Sequence, residues 1–188
     1  MRYFINFQGF VNYNRTFGEK HEVDAFISYF NENMMKNGDL PYDRLSLMGH
    51  LKYGYGSRYY IQGDFTYDGT EQFKPGNRFK FFPTVSAAWV VSNESFLKDS
   101  GWLSFLKIRA SAGWLGNDQI SATRFLYATD VRYQLQGYLL SNYYAAQTVE
   151  GMQGNPYIHY EKSFQQNYGI DITLLNLSLI HISEPTRP

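Results

Sequence analysis

The segment 58–69 reads RYYIQGDFTYDG and alternates. Tyr59, Ile61, Phe65 and Tyr67 fall on one parity; Arg58, Gln62, Asp64, Thr66 and Asp68 fall on the other. Successive side chains of a strand point to opposite faces, so the period of two predicts a β-strand with an oily face and a wet face. The pattern recurs over 3–13, 23–29, 45–55 and 81–91 with the apolar residues at odd positions. It then changes parity: Leu106, Ile108, Ala110, Ala112 and Trp114, and later Phe164, Tyr168, Ile170, Ile172 and Leu174, are the apolar set. Seven strands follow, each near ten residues or longer. Strands of soluble domains average about 5–6 residues. A tilted strand needs roughly 9–11 to cross a bilayer.

The connections carry a second period. The turns 15–19 and 54–57 are tight, whereas 31–43, 68–80 and above all 116–160 are long. Short and long joins in alternation match an outer-membrane barrel, with turns on one side and loops on the other. One join departs from this: SNESFLKDSGWLS, at about thirteen residues, stands where a short turn is expected. It is expected to hold a helical turn capped by Ser92 or Asn93. Trp89 and Trp114 lie near strand ends on the apolar parity, as in an interfacial girdle. Gly63 is small on the oily face, and a neighbouring aromatic is expected to cover it.

Composition narrows the function. The formal net charge is zero, which excludes an electrostatic footprint for nucleic acid. The 17 Tyr and 15 Phe, with frequent Gly, favour an all-β chain. Zero cysteines remove disulfides and thiolate metal sites. The four histidines lack metal-ligand spacing, and no H-E-x-x-H, G-x-S-x-G or phosphate loop occurs. No cofactor and no catalysis are expected. Asp64, Asp68 and Asp171 share the wet parity with Lys52, Arg58 and Arg109, which reads as a hydrated wall of mixed charge. The start, MRYFINFQGF, lacks the apolar core of a signal peptide, so either the chain is not exported or its true N-terminus lies upstream.

Five tracts bring a resemblance. FVNYNRTFGEKHEVDAFISY, YYIQGDFTYDGTEQF, FFPTVSAAWVVSNESFL, WLSFLKIRASAGWLGN and GNPYIHYEKSFQQNYGIDI occur in that order. They resemble the barrel of the SusC/RagA family of TonB-linked outer-membrane transporters. That family shows tracts like F-P-S-V-S-A-G-W, L-K-L-R-A-S-Y-G-x-x-G-N and G-N-P-x-L-x-W-E-K-S. Residues 82–89, 106–117 and 154–163 match them, with Ala88 for Gly, Trp114 and Leu115 after Gly113, and Tyr160 for Trp. Tyr67 to Phe73, YDGTEQF, departs from the usual R-D-G-S-S-R-F.

The resemblance implies an antiparallel arc of about seven strands from a large, 22-stranded type of transmembrane β-barrel in the outer membrane of Bacteroidota. It further implies import of oligosaccharides or peptides, a SusD-like surface lipoprotein as partner, and TonB acting through a plug absent from this chain. Residues 1–176 are expected to be a partial barrel. Residues 177–188, LSLIHISEPTRP, abandon the alternation and resemble translated sequencing-adapter read-through. The expected lipid-facing residues are Tyr59, Ile61, Phe65, Tyr67, Trp89, Ile170 and Ile172. Substrate contacts are expected from aromatic rings of the longest loop: Tyr133, Tyr138, Tyr143 and Tyr144, beside Tyr127. A soluble secreted all-β carbohydrate-binding module is the competing reading. There the oily face would meet a second sheet.

Overall fold

A computed structural model describes residues 3–35, 41–97, 101–119, 125–134, 139–140, 143–144, 147–174 and 179–186. Six long strands follow in chain order: β1 (Tyr3–Phe17), β2 (His21–Met35), β3 (Tyr42–Tyr55), β4 (Tyr59–Thr70), β5 (Phe79–Val90) and β6 (Leu103–Asn117). The long loop holds β7 (Val131–Gln134), β8 (Leu139–Leu140), β9 (Tyr143–Tyr144) and β10 (Gln147–Glu150), and β11 (Glu161–Leu174) and β12 (Leu179–Thr186) end the chain. One antiparallel sheet runs β1-β2-β3-β4-β5-β6-β11-β12, while β7 pairs with β10 and β8 with β9. The seven strands expected from alternation are β1 to β6 and β11, at 12 to 15 residues each. The eighth, β12, lies in the tail where the side-chain pattern fails. Its ladder to β11 is formed by main-chain groups, which pair without regard to side-chain pattern.

Register explains the parity switch. Directly opposed residues share a face. Odd residues oppose odd ones from β1 through β5: Val11 with Ile27, Leu51 with Gly63, Gly63 with Val85. Between β5 and β6 the pairing joins Trp89 to Ile108 and Ala87 to Ala110, so the odd face of β5 continues as the even face of β6. Ile108 then opposes Ile170, and Leu106 opposes Ile172. One apolar face therefore runs unbroken across seven strands.

The two tight turns match their sequences. Gly18 and Glu19 both have positive φ (54° and 62°), as do Gly56 and Ser57 (58° and 55°). Paired left-handed central residues suit the right-handed twist of a hairpin. The longer β5–β6 join contains a 3-10 turn, η1 (Val91–Asn93), as expected, but neither Ser92 nor Asn93 caps it. Its N-cap is Val90, without a side-chain hydrogen bond, because Ser92 is buried and the Asn93 amide donates to the carbonyl of Ser57 at 2.7 Å.

The covered glycines are not the one expected. A Cβ on Gly63 would meet nothing within 4 Å. Rings cover Gly49 and Gly69 instead: a Cβ on Gly49 would lie 2.7 Å from Phe65, and one on Gly69 would run into Phe79. Each glycine directly opposes the ring above it. The neighbours of Gly63 are Leu51 and Val85, neither long enough to lie across it.

Candidate functional site

Among the described residues nothing forms a second layer on the apolar side of the sheet. Ile5, Phe7, Val11, Ile27, Leu51, Ile61, Val85, Ile108 and Ile170 all lie on the shared apolar face, and all are exposed, Val11 by 65% and Ile61 by 55%. Of the residues expected to face lipid, Tyr59, Ile61, Tyr67, Trp89 and Ile170 are exposed on this face; Phe65 and Ile172 are half-buried on it by neighbours within the sheet. A soluble domain rarely leaves such a surface uncovered.

Aromatic rings crowd the two ends of the face. At the turn end lie Tyr53, Tyr55, Tyr59 and Trp89, with Tyr59 and Trp89 stacked at 6.4 Å and 12°. His21 joins them, its Nδ1 2.7 Å from the Tyr53 hydroxyl. At the loop end Tyr67 stacks on Phe79 at 5.5 Å, and Trp114 meets Phe164 at 4.9 Å. Aliphatic residues dominate between: Val11, Ile27, Leu51, Ile61 and Val85. Rings with polar tips at both rims and aliphatic chains in the middle match a membrane-crossing band.

The turn-end rim is tied by one carboxylate. Glu94, 8% exposed, accepts from the Tyr59 hydroxyl at 2.5 Å, from Trp89 Nε1 at 3.1 Å and from Arg58 Nη1 at 3.0 Å. The Tyr59 and Trp89 hydrogen bonds, with help from Arg58, hold its carboxyl below the usual carboxylate range. Arg58, expected on the hydrated wall, is thus drawn to the β5–β6 join. Glu94 sits in no alternating segment, and no sequence signal marked it.

The other face is mainly polar, with Phe4, Phe10 and Phe26 as apolar residues on β1 and β2. Asp24 accepts from Asn14 and contacts His50 Nε2, both at 2.7 Å. Arg109 lies 3.4 Å from Asp171, and Ser46 donates to Asp68. These carboxylates are spent on wall contacts. Among the described residues no three His, Cys, Asp or Glu gather as a metal site. Near the turn end the wall bears a depression of about 620 Å³ lined by Lys52, Tyr60, Gln62, Lys107, Arg109 and Asn167.

At the loop end a small core closes over this wall. Phe73, Phe82 and Tyr160 are 1%, 4% and 3% exposed, with ring centroids 4.7 Å (Phe73 to Tyr160) and 5.5 Å (Phe82 to Tyr160) apart. Ile158 packs against them. Phe73 comes from the β4–β5 loop and Tyr160 from the end of the longest loop, so the knot fastens both loops to β5. Burial raises the Tyr160 phenol pKa, keeping it neutral. Phe125 N–H donates to Gln72 Oε1 at 3.2 Å and adds a second tie between the loops.

The loop tyrosines are only partly placed. Tyr133 lies in β7 opposite Thr148, and Tyr143 and Tyr144 form β9 opposite Leu140 and Leu139. Their side chains, and Tyr138 as a whole, lie outside the described residues. Tyr127 packs edge-on against Phe125 at 6.3 Å, within its own loop.

No family model matches the chain. Curated relatives do. TonB-dependent receptor P39 of Formosa agariphila is 26% identical across 94% of this chain and 19% of its own length. TonB-dependent receptor SusC of Bacteroides thetaiotaomicron is 31% identical across 70% of this chain and 13% of its own. Among solved structures, the RagAB peptide importer in its closed-closed state superposes with a TM-score of 0.78 at 22% identity, covering 92% of this chain and 22% of that chain. Its open-open state gives 0.73 at 23% identity, with 91% and 21% covered.

The chain carries the barrel fold of SusC/RagA-type TonB-dependent receptors. It spans about a fifth or less of the length of the curated relatives it matches. The receptor-type sheet is an open arc, with β1 and β12 as its free edges. The bare apolar face and its aromatic rims lie along the whole of this arc.

Proposed function

We propose that this chain is part of the wall of an outer-membrane transporter that imports oligosaccharides or peptides. The bare apolar face carries the reading: nine large apolar residues on seven strands lie uncovered while the opposite face is hydrogen-bonded and charged. Tyr59, Ile61, Phe65, Tyr67, Trp89, Ile170 and Ile172 then meet lipid. The polar wall with Lys52, Lys107 and Arg109 lines the passage. Tyr133, Tyr138, Tyr143 and Tyr144 lie on the loop at the outer mouth, where they contact substrate. A SusD-like lipoprotein covers that mouth, and TonB supplies the energy through a plug belonging to the longer protein. The named relatives, TonB-dependent receptors and a peptide importer, support this reading.

The soluble carbohydrate-binding reading needs a second sheet over the apolar face, and the described residues form none. Deleting the gene of the longer receptor in its host separates the readings. Loss of growth on one oligosaccharide or peptide source, restored by the intact gene and not by one lacking the TonB-contact segment, supports transport. Unchanged growth on every source and recovery of the protein in the soluble fraction would reject it.

Residues 177–188 we read as adapter read-through rather than barrel design. Resequencing the source DNA across Asn176 by a ligation-based library tests this. The frame is expected to continue with a different, alternating strand; recovering LSLIHISEPTRP again would show the tail to be native.

A further inference from the structure

The β5–β6 join is longer than the two hairpins beside it, and its described residues, 91–97 and 101–102, differ in exposure. Its start is tucked in: Val91 and Ser92 are 6% and 9% exposed, and Glu94 lies beneath its three donors. The aromatic side chains that follow are not. Phe96 is 70% exposed and Trp102 61%, against 45% for Tyr59 and 39% for Trp89 on the adjoining sheet.

Burying a large apolar side chain is favourable, and leaving one in water forgoes that gain. Two such rings left bare on one tethered connection mark a contact surface. Its neighbour is already defined. Tyr59 and Trp89 close the turn end of the apolar band, and Glu94 binds the polar tips of both. The connection is thereby pinned at the level where the band stops. At that level the surroundings change from acyl chain to headgroup. Trp favours this boundary because its ring is apolar and its N–H needs a polar partner.

We propose that Phe96 and Trp102, on the β5–β6 join, form a membrane foot, resting in the headgroup–acyl boundary of the leaflet at the turn end. The girdle of Tyr59 and Trp89 so extends beyond the strands onto a connecting segment. Glu94 sets its depth by clamping the connection to the rim. This rests on the membrane-spanning reading above. It gives a physical use to the join too long for a hairpin: a tight turn has no room for two exposed rings.

Single spin labels on the full-length receptor test it. The variants are Phe96→Cys, Trp102→Cys, Glu19→Cys in the adjacent hairpin and Ile61→Cys on the apolar face, each in a cysteine-free background. The labelled proteins are reconstituted in phosphatidylethanolamine–phosphatidylglycerol vesicles, with heat-modifiable mobility as the check of folding. Collision with oxygen reports lipid, and collision with a water-soluble nickel chelate reports solvent. Labels at 96 and 102 are expected to give an oxygen-to-nickel ratio several-fold above that at 19 and below that at 61. A ratio at both sites equal to that at 19 places them in water and overturns the foot while leaving the barrel intact. Protection from both reagents means a protein covers them, and overturns it too. An aqueous ratio at 61 as well rejects the membrane reading itself.

Discussion

Phe65 lies across Gly49. The two oppose each other on β4 and β3, and a Cβ on Gly49 would stand 2.7 Å from the Phe65 ring and 3.0 Å from the carbonyl oxygen of Phe26. The ring is held from the other side by Phe81, stacked at 6.0 Å. Gly49→Ala must push Phe65 off its seat and is expected to destabilise the full-length barrel by about 1–3 kcal/mol. Gly63→Ala, two residues from Phe65 on the same face, meets nothing and is expected to be neutral. Urea-dependent loss of heat-modifiable mobility compares the two. Equal midpoints would show that the ring is not seated on Gly49.

Parity governs the effect of a charge. Phe65→Arg places a guanidinium on the apolar face near mid-strand and is expected to cost roughly 2–4 kcal/mol in the membrane. Thr66→Arg, one residue on, points to the polar wall and is expected to cost little. Folding yield in outer membranes and surface protease resistance report the difference. Equal losses would mean both faces pack against protein.

The Glu94 clasp predicts a pH dependence with a definite sign. Its carboxyl is held below the usual range by hydrogen bonds from Tyr59 and Trp89. A group whose folded pKa is depressed contributes stability above its unfolded value and loses it as pH falls through the folded one. The clasp is therefore intact at neutral pH and weakens on acidification below the ordinary carboxylate range. Glu94→Gln removes the charge that Arg58 and the two ring donors address, so the variant is expected to be less stable at neutral pH and flatter against acid. A variant whose pH profile overlays the parent would remove Glu94 from that role.

The arc alone has two unpaired edges, β1 and β12, and a bare apolar face. Unsatisfied main-chain groups cost several kcal/mol each in hydrocarbon, and open sheets do not span membranes. Residues 1–188 expressed alone are expected to aggregate or to need detergent. A monodisperse, cooperatively melting monomer in plain buffer is the outcome that sinks the barrel assignment.

The seven long strands β1 to β6 and β11, and the membership of their faces, were legible in the chain, because side-chain alternation is a local property of extended backbone. Even the parity switch before Leu106 could be read without knowing that Trp89 would oppose Ile108. Three features had no local signal. Glu94 gains two of its three partners, Arg58 and Tyr59, from residues 36 and 35 positions away on a different hairpin. Phe73, Phe82 and Tyr160 meet only because two loops fold back over one strand. Gly49 rather than Gly63 takes the covering ring because register, not composition, sets which residue stands opposite Phe65. Alternation decides which way a side chain points. The three-dimensional arrangement of strands decides what it meets there, since that depends on neighbours brought close by distant hydrogen bonds.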